Sequence, residues 1–190
     1  KKYDIISIDK LLNLHIKNFN NIQNPNFKYK NICLDFVFLS ILMGNDYLPK
    51  LYYIKFDKLW KAYFIVYNKL NKSLISSKFK INKSFIILFM EQIIELLPKQ
   101  FKKHPIDKYN EQITKNYLDG LLWCINMYST GVCSAYDYIC SIPILPQDIL
   151  HFYNTTKCKV KLPVSDIKPI KSEIYPLLVM PKKAINLIPK

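Results

Sequence analysis

The segment Leu34–Leu51, LDFVFLSILMGNDYLPKL, leaves the chain few choices. Its first half is almost wholly apolar, and a helix with no polar face has to be buried. Gly44 stands where that helix must stop, because glycine takes the left-handed cap conformation at little cost. Pro49 discourages a quick return to helix. The segment therefore predicts a buried helix over about Tyr29–Met43, followed by a tight turn carrying Asn45 and Asp46. A carboxylate held at the end of a rigid rod is a candidate metal ligand. The plainer alternative is a solvated turn residue, since turns favour Asp for local hydrogen bonding. Asp35, inside the same helix, must be paired, bonded or exposed at a cavity. It is expected to bond to backbone or Lys; the functional alternative makes it a wall of an acidic site.

Composition limits what such a chain does. Its 190 residues fit one large domain, or one plus a fragment, and half of them are apolar, so the chain is expected to fold. The formal charge is +14, and all of the positive charge is Lys, with no Arg anywhere. A polyanion is the natural partner, with nucleic acid ahead of a membrane surface. Abundant Lys, Asn, Ile and Tyr point to an AT-rich genome, as in some protists and large DNA viruses, so codon drift accounts for part of the basicity. Without Arg, phosphate contacts are Lys point charges, and binding is expected to be salt-sensitive and weakly sequence-specific.

The five cysteines form no C-x-x-C, and the three histidines lack metal-ligand spacing. Reduced thiols in a cytoplasmic or nuclear compartment are expected, or host cytoplasm if the chain is viral. Neither a secretory signal nor a membrane span is expected; the most apolar window, Phe85–Met90, is cut off by Glu91, Gln92 and Glu95. The first residues, Lys1-Lys2 without Met, point to a piece of something longer.

Helices are predicted over Ile8 to about Phe19, with His15 on the buried face, then over Phe56–Leu70, Lys83–Leu97 and Tyr109–Ser129. Asn18–Asn26 and Lys99–Lys108 are expected loops, Asn71–Ile81 a mostly polar connector, and Asn154–Lys190 an extended Pro- and Lys-rich strap packed on the helices. The fold class is mainly α: an irregular multi-helix domain with that C-terminal strap.

Two motifs carry a family resemblance. The first is Asp35-Phe36-Val37-Phe38-Leu39, followed by Gly44-Asn45-Asp46-Tyr47-Leu48-Pro49. The second is Tyr117-Leu118-Asp119-Gly120-Leu121-Leu122-Trp123, then Gly131-Val132-Cys133-Ser134. Together they resemble the downstream part of the catalytic region of the XRN 5′→3′ exoribonucleases, including the XRN helical domain. The resemblance implies that residues 1–55 end the nuclease core, that 56–153 form the helical domain, and that 154–190 are the strap. It implies that Asp46 is the last of the acidic residues around a two-magnesium centre, with Asp35 and Asn45 behind it. It further implies a metal-activated water attacking the first phosphodiester of 5′-monophosphorylated single-stranded RNA.

Departures from the family pattern are specific. Ala135 and Asp137 stand where the pattern has two Trp, leaving Tyr136 and Tyr138 as substitutes. Trp123, Lys50, Tyr136 and Tyr138 are the candidate RNA contacts, and for Trp123 a fold-anchoring role is an equal alternative. One or two carboxylates do not hold two magnesium ions. The chain is therefore expected to need the N-terminal nuclease half, in the same polypeptide or as a separate chain, and to be inactive alone. The other classes left open are a catalytically dead RNA-binding or scaffold protein and a subunit that completes a separate nuclease.

Overall fold

The computed structural model describes residues 29–102 and 109–187, together with Lys10. Apart from Lys10, the expected helix from Ile8 to Phe19 with His15 lies outside the described residues. So do the Asn-rich loop, Asn18–Asn26, and Lys103, His104 and Lys108 of the basic loop. The described chain is mainly helical. Its helices are α1 (Tyr29–Ile41), α2 (Phe56–Leu70), α3 (Lys83–Leu96), α4 (Lys99–Lys102), α5 (Glu111–Thr130), α6 (Pro146–Thr155) and α7 (Tyr175–Val179), followed by a 3-10 turn at Lys182–Leu187. Among the described residues there is no strand, only one antiparallel bridge between Ile75 and Ile81.

Local chemistry sets the helix ends. Asn82 accepts a hydrogen bond from Phe85 N at 3.2 Å and opens α3; Asn110 does the same for α5 through Ile113 N at 3.0 Å. Gly131 closes α5 at φ 71°, with its N–H on Met127 O. Two elements depart from expectation. Lys99–Lys102 makes one helical turn where a loop is expected, held by Phe101 N on Pro98 O. Pro146–Thr155 is a helix that the sequence reading does not include. Pro146 is preset for the first helical position, and the Asp148 carboxylate accepts from Leu145 N at 2.8 Å.

One hydrophobic core runs from Ile32 to Phe152 and crosses position 55 without a break. In it α2 packs on α3, α3 on α6, α6 on α5, and α1 on α5 and α2. Tyr63, Tyr117, Phe38, Phe85, Phe89 and Phe152 are its largest fully buried side chains. Burying each such side chain contributes about 1.5–3 kcal/mol.

Asp35 is inside this core and fully buried. Its carboxylate accepts hydrogen bonds from Leu74 N at 2.9 Å, Ile75 N at 2.8 Å and the Tyr63 hydroxyl at 2.8 Å. It ties α1 to α2 and to the connector that follows α2. Burial pushes its carboxyl up to about 6, and the three donors restrain the rise. Asp35 therefore bonds to backbone, as the plainer reading expects. The donors that it accepts from lie in α2 and the connector.

The strap divides in two. Up to Ser165 it is fastened: Lys161 N donates to Asp119 Oδ1 at 2.8 Å, Ser165 N to Ser134 O at 2.9 Å, and Ser134 Oγ to Pro163 O at 2.6 Å. Val160 and Leu162 pack against the core there. Farther on, Ile167, Ile170, Tyr175, Leu178 and Val179 are exposed, so the expected packing on the helices holds for the first half only.

Candidate functional site

The turn after α1 is built by Asn45. Its N–H donates to Leu48 O at 3.0 Å, while its side-chain Oδ1 accepts from Tyr47 N at 2.9 Å and Leu48 N at 2.8 Å. Leu51 N then donates to Leu42 O at 3.0 Å and closes the turn onto the end of α1. Gly44 is required twice over. Its φ is +85°, and a Cβ there would sit 2.9 Å from Lys50 N.

The two motifs of the resemblance interlock in space. The Asn45 amide donates to Cys124 Sγ at 3.1 Å and to the Tyr128 hydroxyl at 3.3 Å, both on α5. Leu48 lies directly over Gly120, where a Cβ would come within 2.7 Å of Leu48 Cδ2 and 3.0 Å of the Tyr138 hydroxyl. The Tyr47 ring meets Trp123 edge-on, with centroids 5.5 Å apart. Gly120 inside α5 thus marks where the turn is pressed onto the helix. Burial pushes the Cys124 thiol up, so it stays a neutral thiol and a weak acceptor.

A hollow of about 410 Å³ opens beside the turn, with Asp46, Asn45, Tyr47, Trp123, Tyr138 and Ser141 in its wall. Asp46 is exposed and makes no hydrogen bond or ion pair among the described residues, in contrast to Asn45 beside it. Among the described residues it is the one carboxylate in the wall. Among the described residues no group of three His, Cys, Asp or Glu converges as a metal site. A two-magnesium centre needs several convergent oxygen ligands, so these residues alone do not fit one.

The other expected RNA contacts separate. Trp123 is only 5% exposed, and its indole N–H donates to Ala135 O at 3.1 Å, which is the geometry of a fold anchor. Little of the ring face is open. Tyr138 packs beside Trp123, with centroids 5.3 Å apart, and its hydroxyl donates to Asn116 O. Burial raises its phenol well above the usual range. Ala135 is buried where the family pattern has Trp. Tyr136 is exposed in the loop after α5 and does not line the hollow. Lys50 is exposed and lines a neighbouring hollow across Pro49.

Cys124, Tyr128 and Gly120 hold the turn in place, and the sequence reading gives none of them that part. The only signal for Gly120 is a glycine in mid-helix, which is costly unless something approaches closely.

No protein-family model matches this chain, and no curated protein matches it. No helix among the described residues is long and apolar enough to cross a membrane.

Proposed function

We propose that this chain is the helical-domain part of an XRN-like 5′→3′ exoribonuclease acting on 5′-monophosphorylated single-stranded RNA. In this reading it contributes the Asp46 turn and one wall of the RNA path, and is inactive alone. The observation that supports it best is the interlock of the two motifs: Asn45 on Cys124 and Tyr128, and Leu48 on Gly120. That interlock holds an exposed carboxylate with no bond of its own beside an open hollow. The remaining carboxylates of a two-magnesium centre, and the pocket for the 5′ phosphate, would belong to an N-terminal nuclease half.

Complementation tests this. Adding the chain to a separately expressed N-terminal half of an XRN-type nuclease restores release of nucleoside monophosphates from 5′-monophosphorylated RNA, and the Asp46→Ala chain does not. Equal rescue by Asp46→Ala removes the metal role. A second reading, an RNA-binding protein without catalysis, is favoured by Asp46 being, among the described residues, the one carboxylate in the wall of its hollow. It gives salt-dependent RNA binding with no rescue of cleavage.

A further inference from the structure

A second aromatic surface lies beside the Asp46 turn. Directly after Pro49 the chain reads Lys50-Leu51-Tyr52-Tyr53-Ile54-Lys55. Leu51 and Ile54 are buried, and they force the two tyrosines between them outward, to 47% and 51% exposed. The exposed rings form a ladder. Tyr52 and Tyr53 stack with centroids 5.6 Å apart, and Tyr53 lies on Phe101 at 3.9 Å and 15°.

The ladder is held from behind. Tyr52 N donates to Ile144 O at 3.0 Å, and the Gln147 amide donates to Phe101 O at 2.7 Å. Tyr53 has φ 60°, a conformation uncommon for a bulky side chain. Such a conformation persists where the surroundings over-determine it, and it presents the ring next to Tyr52 instead of into the core.

Charge selects the occupant. Exposed aromatic rings alone suit a protein, a sugar or a base. The hollow beside these rings, about 490 Å³, has Lys50 and Lys55 in its wall and, among the described residues, no carboxylate. The whole chain carries +14. Flat rings flanked by cations match a strand that alternates flat bases with phosphates. We propose that Tyr52, Tyr53 and Phe101, with Lys50 and Lys55, form a stacking platform for bases of a single-stranded nucleic acid. A base extends the stack from Tyr52, the half-exposed end of the ladder, and the phosphates lie on the two ammonium groups. Every base has a π face, so the platform tolerates any sequence. This inference rests on the nucleic-acid part of the reading above and not on hydrolysis.

The test is fluorescence anisotropy of the whole 190-residue chain with a single-stranded RNA 12-mer and with an abasic strand of the same length. Tyr52→Ala weakens RNA binding roughly 5- to 100-fold. Tyr52→Trp retains the affinity, because the ring and not the hydroxyl does the binding. The abasic strand binds weakly and equally to wild type and Tyr52→Ala. Replacing Lys50 and Lys55 by Gln lowers the salt slope by about 1.4. Full RNA binding by Tyr52→Ala overturns the platform while leaving an RNA-handling function standing. No RNA binding at low salt overturns both. Tighter binding of an acidic peptide or an oligosaccharide than of RNA, lost in Tyr52→Ala, overturns the nucleic-acid assignment.

Discussion

The helix–turn unit at the start of the described chain carries one aspartate inside the helix and one beyond its end. Asp35 is fully buried and satisfies three donors from α2 and the connector after it. Asp46 is exposed on the turn, and Asn45 makes the bonds that hold that turn together. Two carboxylates that look alike in sequence thus divide the work. One is consumed by the fold, and the other is left to the surface. The difference shows that an aspartate in an apolar run is read by its donors, and that donors far along the chain decide.

Removing the buried carboxylate breaks the comparison most strongly. Asp35→Ala strands Leu74 N, Ile75 N and the Tyr63 hydroxyl without partners. Each buried, unpaired group costs about 1–3 kcal/mol, so a loss of about 3–5 kcal/mol is expected from urea denaturation midpoints. A loss under about 1 kcal/mol would show that Asp35 does not tie α1 to α2.

The pH dependence sharpens the same point. The folded Asp35 carboxyl holds its proton more tightly than the unfolded one, titrating at about 6 against 3.8. Folding therefore takes up a proton between about pH 4 and 6, and stability falls as pH rises through that window. The fall should amount to about 2–3 kcal/mol, of order 1.4 kcal/mol per pH unit. Asp35→Asn should flatten that slope. An unchanged slope in Asp35→Asn would assign it to another group.

Much of this fold is legible in the sequence. Gly44, Asn82 and Gly131 mark helix ends by backbone chemistry alone, and the apolar stripe of α2 gives its buried face. The partners of Asp35 are not legible, because they sit in the connector after α2, which reads as polar. That connector buries Leu74 and Ile75, so their N–H groups have to find an acceptor inside the core. The turn of the candidate site is readable as a turn, but its seat on α5 is not. Asn45 reaches Cys124 and Tyr128 across the fold, and no local pattern encodes such a contact. Tyr52 and Tyr53 are visible as an aromatic pair between lysines, yet only the burial of Leu51 and Ile54 shows that they point outward.

A smaller effect tests the seat of the turn. On helix propensity alone Gly120→Ala would gain about 1 kcal/mol. The new methyl would instead meet Leu48 Cδ2 at 2.7 Å and the Tyr138 hydroxyl at 3.0 Å, so buried Leu48 and a hydroxyl bonded to Asn116 O would both have to shift. The net expectation is a destabilisation of about 1–2 kcal/mol. In a Leu48→Ala background the contact with Leu48 is relieved and only the one with Tyr138 remains, so the two changes should be non-additive in a double-mutant cycle. Simple additivity would mean that the turn does not press on α5.

The smallest expected effect belongs to Asp46. Its side chain is exposed and bonds to nothing among the described residues, so Asp46→Ala should change stability by no more than about 0.5 kcal/mol. Urea denaturation of wild type and variant checks this directly. A large loss would mean that the carboxylate has a structural duty, and the contrast with Asp35 would collapse. A negligible change has a further consequence. The turn is already fixed by Asn45, Gly44 and the contact of Leu48 with Gly120, so the backbone stays where it is when the carboxylate is removed. Any loss of rescue by Asp46→Ala in the complementation assay then belongs to the missing charge and not to a displaced turn. The same variant thereby separates a carboxylate held out for a ligand from one that only faces water.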